Sequence, residues 1–234
     1  MMETMLAALR AGLPELGLNL PAEAEENLCR FGCAVVEQNK VMNLTAITEP
    51  DRVARLHLLD SLTVLTAADL DGKKLIDVGC GAGFPGVPLA IGCPTAEITL
   101  LDSLGKRVHW LEETLPTLGI SAECVTARAE EAVAQRRESY DFATSRAVAR
   151  LNILLELTAP YVKVGGMVIA MKGAAAQEEL AECSGAMKKL GLQLEEVRQF
   201  PMDDTCHSLI LLRKIAPTPK QYPRRYAKIK QSPL

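Results

Sequence analysis

The residues best placed by type and spacing to do chemistry lie between Asp77 and Gly86, in the run DVGCGAGFPG. Glycines let a backbone turn sharply and approach a ligand closely, and a helix opening behind the turn aims unpaired N–H groups at it. Two fingerprints overlap here. Gly79-x-Gly81-x-Gly83 has the spacing of an adenosylmethionine loop, whereas Gly81-x-Gly83-x-x-Gly86 has that of a dinucleotide loop. Three features favour the first. Asp77 stands two residues before Gly79, where a carboxylate can hold the ammonium of a methionine and gives a pyrophosphate nothing. The loop comes after a long helical stretch, whereas a dinucleotide domain often begins with it. Pro85 and Pro88 remove N–H groups that a pyrophosphate would use.

Asp102, 19 residues beyond Gly83, ends the next apolar run and is placed to accept hydrogen bonds from two ribose hydroxyls, which suits any nucleoside. Ser103 beside it also serves as a helix cap. The Arg128-Ala129-Glu130-Glu131 segment follows the third run, where backbone N–H groups or a carboxylate can read adenine. The fourth run leads into TSRAVAR (144–150). No Asn/Asp-Pro-Pro-aromatic segment for an exocyclic amine stands there, and no cysteine that would attack a pyrimidine C5. The acceptors left are those with a lone pair already available, a ring nitrogen or an oxygen. Arg146 and Arg150, one helical turn apart, suit phosphate or a guanine edge, and Arg146 also suits the carboxylate of the cofactor. Arg146 is expected to orient the reactants rather than act as an acid.

Positioning these residues requires an alternating chain. From Lys74 onward, short apolar runs at Leu75–Val78, Ile98–Leu101, Ala122–Val125, Phe142–Thr144, Met167–Met171 and Leu209–Leu212 predict strands. Helical patterns at Val87–Ile91, Lys106–Leu118, Ala129–Gln135 and Leu151–Leu157 separate the first five, so a mainly parallel α/β sheet follows. One further helix is expected around Gln177–Leu190, then a strand near Leu194–Val197 that pairs antiparallel with the last run. Upstream, Leu28, Phe31 and Val35, and then Val53 to Leu65 in three-residue steps, mark amphipathic helices, with a start at Thr48. The expected organisation is a helical extension (1–70), a Rossmann-like methyltransferase domain (71–215) with one antiparallel strand, and a basic tail (216–234).

Composition narrows the class. Seven cysteines, an odd number without C-x-x-C spacing, and three histidines give no metal-ligand pattern, so no metal is expected. No apolar run reaches bilayer length and the N-terminus has no signal-peptide pattern; a cytoplasmic monomer is expected. After residue 204 the chain carries seven basic residues and no acidic one, against a net charge of −3 for the whole. Lys220, Arg224 and Arg225 of this tail, with Lys106 and Arg107, are candidate phosphate contacts. Cys80, inside the glycine loop, is a candidate reactive thiol.

Together these segments resemble the RsmG (GidB) family, bacterial 16S rRNA guanine-N7 methyltransferases. The likeness runs through NLTAIT (43–48), Arg55, His57, Leu59-Asp60-Ser61, DVGCGAGFPGVPLAI, LLDSLGKRVHWL, the Arg128-Ala129-Glu130 segment, TSRAVA, GGMVIAMKG and TPKQYPRR, in order and over nearly the whole chain. Cys80 stands where serine is expected. The resemblance implies a class I methyltransferase fold, with adenosylmethionine beside Gly79, Phe84, Ala129, Glu130 and Arg146. It places Asp102, Ser103 and Leu104 beside the ribose and adenine. It also implies a substrate, a guanine in the decoding-region loop of 16S rRNA in the small ribosomal subunit. His57 reads as a hydrogen-bonded residue of the extension, and Arg55 with Asp60 as a pair fixing that extension. Competing readings are a small-molecule methyltransferase, an NAD-dependent oxidoreductase and a ribosome-binding protein without activity.

Overall fold

The apolar runs become strands of one sheet, ordered β3-β2-β1-β4-β5-β7-β6 in the computed structural model, which describes residues 1–203 and 205–234. β1 (Lys74–Val78), β2 (Glu97–Asp102), β3 (Glu123–Thr126), β4 (Tyr140–Arg146) and β5 (Val162–Lys172) are parallel. β6 (Leu192–Met202) and β7 (Thr205–Lys214) form a hairpin whose second strand inserts beside β5, so β7 alone runs against the others. The crossovers are α5 (Gly86–Gly92), α6 (Gly105–Thr117), α7 (Ala129–Arg136) and α8 (Leu151–Thr158). The single helix expected over Gln177–Leu190 is instead two, α9 (Ala176–Ala181) and α10 (Ser184–Leu190). The break falls at Glu182-Cys183, just before Ser184-Gly185, and Cys, Ser and Gly all have low helix propensity.

Strand alternation divides the apolar residues between two cores. Leu75, Leu100, Ile169 and Leu211 face one side, and Ile76, Leu101, Val168 and Ile210 the other. Helices cover both faces, which is why these strands read as continuous apolar runs. The first face is covered by α5, α6 and the N-terminal helices α1 (Met2–Gly12) and α2 (Ala22–Met42), whose Met5, Leu28, Phe31 and Val35 are fully buried against it. The next helical stretch runs from α3 (Pro50–Val53) to α4 (Asp60–Ala67). Glu49, not Thr48, caps it, with Pro50 at the first helical position. Between them Ala54–Leu59 is π-helical, a geometry that often accompanies function. No helix among the described residues is long and apolar enough to cross a membrane.

The basic tail is seated on the domain rather than extended as an arm. Lys214, fully buried, donates from Nζ to Ala159 O (2.7 Å), Val162 O (3.2 Å) and Thr218 Oγ1 (2.5 Å). Arg137 donates to the carbonyls of Thr218 and Tyr222. Arg224 meets the fully buried Glu156 through its backbone N–H (2.8 Å), Nε (2.8 Å) and Nη2 (2.6 Å), and α11 (Tyr226–Gln231) buries Ile229. Arg224 is therefore a structural partner of Glu156, a correction to its place among the phosphate contacts; Lys220 and Arg225 stay exposed. Breaking a buried pair from one side leaves an uncompensated charge and costs about 3–5 kcal/mol. Arg224→Ala is expected to lower the thermal midpoint by roughly 10 °C, whereas Lys220→Ala leaves it within a degree or two of the parent, within about 0.5 kcal/mol. Melting curves of the two variants check this.

Candidate functional site

The carboxyl ends of the parallel strands open into a cleft of about 1000 Å³. In open α/β sheets ligands sit at this edge, where the strand order reverses, here between β1 and β4. One half of the cleft is built by the glycine loop. Gly79 and Cys80 both donate to Leu101 O (2.7 and 3.1 Å), which folds the loop onto the end of β2. Asp102 accepts from Gly81 N–H (2.9 Å) and Leu104 N–H (2.8 Å). Gly79 (φ +75°) and Gly81 (φ +55°) hold left-handed conformations, and a Cβ on Gly79 would collide with Val148. Gly79, Gly81, Phe84, Asp102, Ser103, Ala129 and Glu130 all lie on the cleft wall.

Three residues expected at the cofactor are absent from that wall. Gly83 is a packing glycine, since a Cβ there would meet Val87, Leu111 and Phe31 at 2.7 to 3.0 Å. Leu104 contributes an N–H to Asp102 while its side chain is exposed outside the cleft. Asp77 is fully buried, and its Oδ2 accepts from Gly86 N–H at 2.8 Å. The correction for Asp77 follows from strand alternation: it shares the face of Leu75, beneath α5, where Gly86 leaves room for a carboxylate. Its Oδ1 has no partner among the described residues, and burial pushes its carboxyl up to about 7. Burial, followed by the neighbouring Asp77, likewise raises the Cys80 thiol well above its ordinary value, so it is protonated and inert rather than reactive.

The other half of the cleft is a polar cluster brought together from four chain segments. Arg146, at the end of β4, donates from Nη1 to Leu56 O (3.0 Å) and Asp60 Oδ2 (2.9 Å), and its Nη2 lies 3.3 Å from His57 Nδ1. Its guanidinium rests over the Phe84 ring at 5.1 Å, on which His57 also stacks at 4.8 Å. His57 Nε2 meets Thr45 Oγ1 at 2.7 Å, and Asp60 Oδ1 meets His207 Nδ1 at 2.7 Å. Arg55 pairs with Asp203 (3.5 Å), so the expected Arg55–Asp60 pair is replaced by Asp60–Arg146. His207 escaped the sequence reading because it is 147 positions from Asp60; its one trace is a polar residue opening an apolar strand.

Electrostatics set the protonation of this cluster. Burial, and then the Arg146 charge, lower His57 to about 4, so its ring is neutral, with Nδ1 3.0 Å from Leu56 O and 3.3 Å from Arg146 Nη2, and Nε2 engaged with Thr45 Oγ1. Burial pushes the Asp60 carboxyl up, but the His207 hydrogen bond and the Arg146 charge outweigh it, leaving the group below the usual carboxylate value. The Asp60 hydrogen bond in turn raises His207.

Of the candidate RNA contacts, Arg107 and Arg150 line the cleft, Arg150 bridged to Glu182 at 2.8 Å, while Lys106 is exposed beside it. Arg128 also lines it, 5.8 Å from the ring of Tyr226. No cluster of three or more His, Cys, Asp or Glu suited to a metal occurs among the described residues.

A family model described as rRNA small subunit methyltransferase G (GidB) matches residues 24–207. The chain belongs to that family. Among curated members, Ribosomal RNA small subunit methyltransferase G of Thermoanaerobacter sp. (strain X514) is 43% identical over 229 residues, covering 95% of each chain. That of Caldanaerobacter subterraneus subsp. tengcongensis is 42% identical over 242 residues, covering both chains completely. Among solved structures, M. jannaschii TYW2 in complex with AdoMet shares the fold, with a TM-score of 0.53 at 13% identity over 63% of this chain and 71% of that one. The resemblance read from GAGFPG, LDSLGKR and SRAVA thus names the right family, and the sheet order gives the GidB chain the expected Rossmann-like architecture.

The His57 shift has a consequence for stability. The unfolded chain binds a proton near 6.5 and the folded one near 4, so falling pH favours unfolding across that window. This group alone removes about 2–3 kcal/mol between those limits. His57→Gln lacks the term. Its stability relative to the parent is expected to improve from pH 7.5 to pH 4.5, read from urea midpoints; a gap independent of pH would contradict the buried neutral histidine.

Proposed function

We propose that the protein transfers a methyl group from adenosylmethionine to N7 of a guanine in the decoding-region loop of 16S rRNA. One observation carries the choice of acceptor: in the half of the cleft around Arg146, no group among the described residues is free to strip a proton. Both nitrogens of neutral His57 are engaged, both oxygens of Asp60 are paired, His207 is drawn toward its charged form, and Cys80 is protonated. A substrate here must bring its own lone pair. N7 of guanine does so at neutral pH, and the names of the curated relatives support ribosomal RNA of the small subunit.

Adenosylmethionine fits the glycine-loop half. Gly81, with no atom closer than 3.7 Å to where a Cβ would stand, admits close backbone approach, and Asp102 at the end of β2 retains lone pairs for ribose hydroxyls. Ser103, Ala129 and Glu130 would flank the adenosine, and Phe84 with Arg146 the methionine end. When bound, the cofactor supplies a methyl group already activated on a sulfonium sulfur. The protein's part is alignment, which can supply on the order of 7–11 kcal/mol. Arg146 does this as a fixed fork: the Leu56 carbonyl, Asp60, the His57 ring and the Phe84 face hold its plane, so its remaining N–H groups point in set directions. Arg107, Arg150, Lys106, Lys220 and Arg225 would meet RNA phosphates around the cleft. A single chain builds both halves of the cleft, so the working unit is taken as a monomer, acting in the cytoplasm on ribosomal subunits.

Unmethylated small ribosomal subunits and naked 16S rRNA, incubated with labelled cofactor and then treated with borohydride and aniline, are expected to show a new chain cleavage at one guanine. Label incorporation without cleavage, or neither, would refute N7 methylation. Arg146→Lys keeps the charge and loses the planar fork; kcat/KM is expected to fall about 10²-fold, the effect of a misplaced reactant, in steady-state assays on the same substrate.

A further inference from the structure

We propose that His207 donates its Nε2–H to O6 of the target guanine and is thereby the residue that distinguishes guanine from adenine. The inference rests on the reading above that the acceptor is guanine N7.

Topology places His207 in the acceptor half. β7 runs antiparallel beside β5, with Ser208 opposite Lys172, so His207, near the start of β7, stands at the same sheet edge as the carboxyl ends of β4 and β5. It lies on the cleft wall across from the glycine loop, and its side chain is 28% exposed. One ring nitrogen is occupied: Nδ1 meets Asp60 Oδ1 at 2.7 Å, and Asp60 is itself held by Arg146 at 2.9 Å. Nε2 has no partner among the described residues, so the ring offers one nitrogen to the cleft in a direction that Asp60 sets.

The chemistry of the base selects what that nitrogen can meet. Guanine presents N7 and O6 as adjacent acceptors on one edge, whereas adenine presents N7 beside an N6 amino donor. N7 must keep its lone pair for the methyl group, so a recognising group belongs on O6. An imidazolium donates from both nitrogens and accepts from neither. With Nδ1–H on Asp60, Nε2–H completes a bond to O6 and opposes an adenine amino group donor to donor. The Asp60 contact shifts the ring toward this form. The Asp60 hydrogen bond raises His207, burial and the Arg146 charge act against it, neutral His57 lies nearby, and Lys172 on the adjacent strand is tied to Glu179 at 2.8 Å. Arg146 is a less suitable reader because Leu56 O, Asp60 and the His57 ring already engage its fork.

Two substitutions separate the ring nitrogens. The amide of His207→Gln replaces Nε2 and forgoes the Asp60 contact, while that of His207→Asn replaces Nδ1 and forgoes the cleft donor. kcat/KM on unmethylated small subunits is expected to fall about 10- to 100-fold in His207→Asn, the loss of one hydrogen bond in a charged pair, and distinctly less in His207→Gln. Adenosylmethionine binding by calorimetry should stay at parental values in both, while the melting temperature should fall in His207→Gln, which leaves one buried Asp60 oxygen without its partner. Asn performing as well as Gln or better would overturn the proposal, leaving His207 as a mere prop for Asp60. So would a tenfold loss of cofactor affinity in either variant, which would assign Nε2 to the cofactor. A second readout does not depend on how well either variant folds: parental kcat/KM should fall as pH rises through the raised His207 value, because the neutral ring presents a lone pair at Nε2. A parent without that fall overturns the proposal, as does a Gln variant that retains it. Failure of the underlying reading looks different, since the parent itself would then yield no N7 product.

Discussion

Asp60 pairs with two basic side chains of different chain segments, Arg146 on β4 and His207 on β7, and most of the acceptor half of the cleft depends on that carboxylate. It is nearly inaccessible to water, so its charge is sustained only by those partners. The same bonds act in the other direction. They hold the Arg146 guanidinium over Phe84 and fix the His207 ring through one nitrogen, leaving the other for the cleft. The π-helical stretch just before Asp60 puts the Leu56 carbonyl and the His57 ring on the same guanidinium. One buried carboxylate thus joins the N-terminal helical segment, the parallel sheet and the terminal hairpin at the point where a substrate would be held.

The cofactor half rests on a second carboxylate with a different role. Asp102 binds two backbone N–H groups, and with the Leu101 carbonyl it pins the glycine loop across the end of β2. These are neighbouring strands, so the geometry is set by local register. The acceptor half instead joins elements far apart in the chain, and its shape requires the whole sheet to be assembled. The buried tail contributes to that rigidity: Lys214 and the Arg224–Glu156 pair tie residues 214–231 to the back of α8 and β5, with Tyr226 reaching the cleft wall.

Much of this was legible in the chain. The apolar runs marked six of the seven strands, because strands covered on both faces need continuous apolar residues, and the spacing of Leu28, Phe31 and Val35 marked a buried helix face. The family motifs marked the glycine loop, Asp102, Ala129-Glu130 and Arg146, all on the cleft wall. Less legible was the direction of individual side chains. Asp77 lies within the motif yet turns under α5, and Gly83 is a packing position although it shares the glycine spacing. A basic tail read for its phosphate contacts is a docked segment, because charge composition does not reveal that Glu156 lies buried beneath it.

By itself the sequence determined what depends on neighbouring residues: which segments are strands and helices, where the backbone must turn through glycine, and which family the motifs match. Tertiary structure alone decided which charges meet. Asp60 and Arg55, five residues apart, suggested a pair; in the fold Asp60 instead finds Arg146 and His207, 86 and 147 positions away. The physical reason is that periodicity reports only which way a side chain faces its own element. Which distant group stands opposite, and so which protons each member of the cluster keeps, follows from strand order and register across the sheet.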